Sequence, residues 1–111
     1  MSISKKNKKS SNIKPLITPI IKTITSYKKV DKIVLFGSRA RGDYAKASDI
    51  DLVVFAKDWN LRDLSFIKEE LEDNIKTCLF FDVIGYYQIN NESLKKQIIQ
   101  EGKVLYEQGK D

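Results

Sequence analysis

A chain of 111 residues with 41% hydrophobic and 32% charged side chains has the material for one modest domain and is too apolar to stay unfolded throughout. It has no histidine and one cysteine, Cys78. An intrachain disulfide, a structural zinc site and histidine-dependent nucleophilic triads are therefore excluded within it. The net charge of +5 is concentrated at one end: Lys5, Lys6, Lys8, Lys9 and Lys14 fall among the first fourteen residues, which hold no acid, and the rest balances at 15 bases against 15 acids.

That imbalance reads as a solvated tail, with a weak phosphate-steering arm as the alternative, rather than as a nucleic-acid-binding surface. Residues 1–13 are expected to form a disordered basic tail and residues 14–111 the folded domain. No run approaches the ~20 apolar residues of a membrane span, and no apolar stretch follows the basic start as in a secretory signal. The lone cysteine fits a reducing, cytoplasmic setting.

From Pro15 onward, Leu16, Ile17, Ile20, Ile21, Ile24 and Tyr27 recur at helical spacing. The helix starts either at Pro19, capped by Thr18, or near Pro15. Lys32 to Phe36 is a β-branched and aromatic run ended by Gly37, a buried strand. Ile50 to Phe55 is a second strand. Asn60 is the expected N-cap of a helix whose apolar face is Leu61, Leu64, Ile67, Leu71 and Ile75, with Glu69, Glu70, Glu72 and Asp73 solvated.

Leu79 to Tyr87 reads as a third strand interrupted by Asp82. Asn91 caps a last helix with Leu94, Ile98 and Ile99 turned inward, and Gly102 ends it. Val104 to Tyr106 adds a short strand or a docked tail. The order predicts a small α+β (α/β two-layer) domain, a mixed sheet packed with helices.

The chemistry concentrates in Gly37–Leu52, "GSRARGDYAKASDIDL". Strand side chains alternate, so Asp49 and Asp51 share one face, about 6.5–7 Å apart along the backbone. Two such carboxylates can grip one hard cation or a cation pair; without one they repel, and one should hold a proton. Asp82 sits where an apolar residue would suit the strand better, and beside Ile50–Phe55 it would complete a three-carboxylate cluster. Alternatively, Asp82 simply faces water on a one-sided sheet. Gly37 permits close backbone approach to a ligand and Ser38 offers a hydroxyl. Neither a Walker loop nor an EF-hand matches, since no Gly-Lys-Ser/Thr follows and the strand replaces the further oxygen ligands.

Gly37-Ser38, ten intervening residues and Asp49-Ile50-Asp51 resemble the signature of the polymerase-β-like nucleotidyltransferase superfamily. The fuller stretch "LFGSRARGDYAKASDIDLVV" resembles its minimal nucleotidyltransferase (MNT) group, short antitoxins often paired with a HEPN-domain toxin. The resemblance covers roughly Ile17 to Tyr106 and implies a polymerase-β-like fold. It implies that Asp49, Asp51 and Asp82 bind two Mg²⁺ ions, with Asp82 also helping to deprotonate the attacking group. Gly37 and Ser38 would hold the β/γ-phosphates of ATP; Arg39 and Arg41 would contact phosphate or the protein partner.

The implied activity is Mg-dependent transfer of AMP from ATP to a hydroxyl, a tyrosine, of a partner HEPN toxin, in a hetero-oligomer. Two alternatives stand beside it. One is an antitoxin that neutralises by binding alone; the other is a nucleotidyltransferase acting on a small molecule or RNA. Tyr44, Trp59, Tyr86 and Tyr87 are read as core or interface residues rather than as a base-stacking site.

Overall fold

The computed structural model describes residues 13–37, 49–77 and 79–109. The lysine-rich tail up to residue 12, Cys78, and the segment 38–48 with Ser38, Arg39, Arg41 and Tyr44 lie outside the described residues.

In chain order the elements are α1 (Lys14–Tyr27), β1 (Lys32–Phe36), β2 (Ile50–Phe55), α2 (Leu61–Asn74), β3 (Phe81–Gly85), a 3-10 turn (Tyr86–Gln88), α3 (Glu92–Glu101) and β4 (Lys103–Glu107). The four strands form one mixed sheet in the order β3-β2-β1-β4. β1 runs antiparallel to both β2 and β4, while β2 and β3 run parallel, joined through α2. A parallel pair needs such a long crossover, because a tight turn can only reverse the chain.

Alternation along β2 divides the interior in two. Ile50, Leu52 and Val54, with Ile33 and Leu35 of β1 and Phe81 of β3, pack against Ile20 and Ile24 of α1 and Leu64, Ile67 and Leu71 of α2. Val34, Val53 and Phe55 face the other way and meet Ile98 of α3. Asp51 falls between Ile50 and Leu52 and so shares this second face, away from the α1–α2 layer.

α1 starts at Lys14 with Pro15 in its first turn, so the start near Pro15 holds and Thr18 is not a cap. Pro19 lies inside the helix, where it removes the hydrogen bond to the Pro15 carbonyl. Ile20 and Ile24, both fully buried and four residues apart, anchor the helix past that defect. Ile13 is itself buried, 9% exposed, at the N-cap position.

α2 carries the expected cap, and more. Asp63 N–H donates to Asn60 Oδ1 at 3.0 Å, and Asn60 N–H donates to Asp63 Oδ2 at 2.8 Å, a reciprocal capping box. The Asp63 carboxylate also accepts from Tyr27 Oη at 2.5 Å and from Lys28 Nζ at 3.2 Å, tying the end of α1 to the start of α2. The Tyr27 hydrogen bond, then the Asn60 amide and Lys28, hold the Asp63 carboxyl below its usual range.

A depressed folded pKa contributes stability that is present above the unfolded value and lost as pH falls through the folded one. Asp63→Ala should therefore lower the melting temperature near neutral pH, with the difference from wild type shrinking below about pH 4. Thermal melts across that range check it. Asn60→Ala, which removes only the cap, should cost about 1 kcal/mol at all pH values.

Three expectations need correction. Leu61 and Ile99 are not inward: they are 69% and 56% exposed. Leu61 is the first residue of α2, and α3 offers the sheet only one row, Leu94 and Ile98. The third strand stops at Gly85, because Tyr86–Gln88 turns and Gln88 Nε2 donates to the Trp59 carbonyl at 2.7 Å. Glu72 is not merely solvated: it accepts from Lys68 Nζ at 3.1 Å and from the Phe81 amide at 3.3 Å.

Candidate active site

β1 ends at Phe36, which is paired in register with Asp51. Gly37 follows with φ +79°, a left-handed conformation that side chains disfavour. A Cβ built on Gly37 would stand 2.5 Å from Asp51 Oδ2, so the turn runs directly against that carboxylate. The glycine is required here twice over, for its torsion and for its missing side chain.

β3 lies beside β2, as the cluster requires. Asp51 and Asp82 are register partners across the parallel pair, one strand spacing (~4.8 Å) apart at the backbone. Asp49 precedes the first residue of β2 and is exposed, as is Asp82, while Asp51 is half-buried. Burial pushes the Asp51 carboxyl above its usual range, and the charges of Asp82 and Asp49 push it further. Three carboxylates thus share one field at the same end of the sheet.

Their donor chemistry is that of hard oxygen ligands, with no sulfur or imidazole. A divalent cation would relieve the burial and repulsion that Asp51 bears, so the residue types fit a magnesium site. Among the described residues, no three His, Cys, Asp or Glu side chains already stand together as a metal-holding group. Gly37, Asp49, Asp51 and Asp82 lie at the same end of the sheet without closing into such a group; Ser38, Arg39 and Arg41 lie outside the described residues.

The aromatic residues stay out of this site where they are described. Trp59 is buried, 2% exposed, and donates from Nε1 to the Lys29 carbonyl at 3.0 Å. Tyr86 stacks on Phe55 with ring centroids 4.2 Å apart. A groove of about 460 Å³ lies between α1 and α2, lined by residues including Pro19, Tyr27, Phe66 and Ile75. It is on the opposite side of the sheet from the acids and offers no acid pair, so the chemistry does not belong to it. The Glu72 contact with Phe81 joins residues nine apart through a helix end and a loop, and no spacing rule along the chain points to it.

Known proteins resemble this chain in sequence and in fold. The family model described as "Polymerase beta, Nucleotidyltransferase" matches residues 18–111. A Methanocaldococcus jannaschii protein, whose name assigns it provisionally as a protein adenylyltransferase, is 50% identical over 76 residues, 66% of this chain and 72% of its own. A chain of a toxin–antitoxin crystal structure with AMP-PNP superposes with a TM-score of 0.72 at 25% identity, covering 84% of this chain and 74% of that one. A chain from the complex of tri-AMPylated Shewanella oneidensis HEPN toxin with MNT antitoxin gives 0.63 at 24% identity, covering 82% and 69%, a likeness of fold. No described helix is long and apolar enough to cross a membrane.

Proposed function

The chain belongs to the polymerase β nucleotidyltransferase family, and from that premise we propose that it transfers AMP from ATP to a tyrosine hydroxyl of a HEPN-type toxin. The observation that carries the site is the pairing of Asp51 with Asp82 across β2 and β3, with Gly37 closed against Asp51. The AMP-PNP complex among the structural relatives supports ATP as donor, and its toxin–antitoxin character supports a protein acceptor. Residues 14–111 are the catalytic unit in this proposal.

Asp49 and Asp51 would hold the magnesium pair, with Asp82 as the third ligand. Bound there, the ions supply neutralising charge for the triphosphate and lower the pKa of an attacking hydroxyl. The bond formed joins the acceptor oxygen to the α-phosphorus; the bond broken releases pyrophosphate. Asp82, exposed on β3, would take the acceptor's proton. Gly37 and Ser38 would present the turn to the β/γ-phosphates, and Arg39 and Arg41 would add positive charge. No protein nucleophile is needed, which suits a chain without histidine; positioning and electrostatics carry the rate.

The test uses α-labelled ATP, the purified chain and a HEPN toxin. Label should enter a toxin tyrosine with magnesium and stay out with a chelator or with Asp49→Ala/Asp51→Ala. If that double variant neutralises the toxin as well as wild type does, neutralisation is by binding alone and the catalytic proposal is wrong.

A further inference from the structure

We propose that Glu72, on the last turn of α2, is a positioning residue for the acid pair: its carboxylate fixes the peptide group from which the Asp82 strand enters the site. The inference rests on the assignment of Asp82 to the active site.

The peptide in question joins Phe80 to Phe81. Its carbonyl accepts from the Ile50 amide at 2.9 Å. Its N–H therefore points away from β2, toward the outer edge of β3, where no further strand among the described residues receives it. Glu72 receives it there, at 3.3 Å, and Lys68 one helical turn earlier holds the Glu72 carboxylate at 3.1 Å. One planar unit is thus held on both sides, by β2 through its oxygen and by α2 through its nitrogen.

The location gives this clamp its consequence. Phe81 and Ile50 are register partners, and the next partners along are Asp82 and Asp51. Phe81, which bears the clamped N–H, immediately precedes one acid, and Ile50, which holds the peptide from β2, immediately precedes the other. Phe81 is 1% exposed and anchors the strand from the core side, whereas Phe80 is 65% exposed and adds no grip. Two like charges one strand apart favour splaying of the edge strand. The Glu72 bond ties the strand to α2 one residue ahead of Asp82 and so limits that splaying. Lys68 and the Phe81 amide also hold the Glu72 carboxyl below its usual range, so it is present as the anion, the stronger acceptor.

Misplacing Asp82 should slow proton removal from the acceptor more than it weakens ATP binding. Glu72→Ala should lower kcat for AMP transfer about tenfold or more with a smaller change in KM for ATP. Glu72→Gln keeps an acceptor oxygen at the same reach and should restore kcat to within about twofold. Glu69→Ala, which removes an exposed acid from the same helix, should leave kcat unchanged and controls for net charge.

Amide exchange read by NMR supplies the arm that needs no catalysis. The Phe81 N–H should exchange at least about tenfold faster in Glu72→Ala than in wild type, and Glu72→Gln should lie near wild type. Wild-type kcat in a Glu72→Ala variant, or unchanged Phe81 exchange in it, overturns the inference. Equal losses in the Gln and Ala variants would do so too, since the role assigned is hydrogen-bond acceptance. If wild type transfers no AMP at all while Phe81 exchange responds as stated, the fault lies with the proposed reaction and the clamp stands.

Discussion

Asp51→Asn should abolish AMP transfer while making the free protein more stable. The two effects have one cause. In the ligand-free fold the Asp51 carboxylate is half-buried and faces the charges of Asp82 and Asp49, so its folded pKa is raised. For a group of this kind the stability contribution is complete below the unfolded pKa, about 4, and is lost as pH rises through the folded pKa. At neutral pH the ionised carboxylate is therefore a net cost, which asparagine of the same shape removes. The melting temperature of Asp51→Asn should exceed that of wild type at pH 7 without divalent cation and approach it below about pH 4.

Adding magnesium with ATP should reverse the ranking, raising the wild-type melting temperature and leaving the variant's in place. Activity should fall by about three orders of magnitude or more, since a cation site loses a charged ligand beside the reacting phosphate. Melts with and without Mg-ATP, together with initial rates, check the pair. A variant that is both less stable and still active would contradict the site.

Gly37→Ala should damage both stability and activity with a single methyl. The backbone there has φ +79°, and the added Cβ would meet Asp51 Oδ2 at 2.5 Å. Left-handed strain and steric overlap together should cost on the order of 3 kcal/mol. Displacing the Asp51 carboxylate should lower activity about a hundredfold. A double-mutant cycle separates the parts. In an Asp51→Ala background the overlap is gone, so Gly37→Ala should cost only the torsional strain, about 1–2 kcal/mol. Additive costs by denaturant unfolding would show that Gly37 and Asp51 do not touch.

Much of this arrangement was legible in the chain because it depends on short-range rules. Alternation assigned Asp49 and Asp51 to one face, and the burial of Ile50 and Leu52 on the other follows it. Gly37 could be picked out because it ends an apolar run, and Asn60 because it precedes a helical pattern. Failures came where a neighbour from elsewhere decides the outcome. Leu61 and Ile99 fit helical spacing but have nothing opposite them. Tyr86 and Tyr87 continue a strand-like run, yet the chain turns there because Gln88 finds the Trp59 carbonyl.

The sequence by itself determined the donor set, the parity of Asp49 and Asp51, and the likeness to nucleotidyltransferases, since each is a matter of residue type and interval. It left Asp82 as an acid that could equally have faced water. The tertiary structure lays β3 parallel to β2 with Asp82 opposite Asp51 and its side chain exposed. It decided also that a glutamate in an apparently solvated run reaches the Phe81 amide. Strand order and the reach of a helix end over a sheet edge depend on which long-range packing buries the most apolar surface, and no interval along the chain encodes that choice locally.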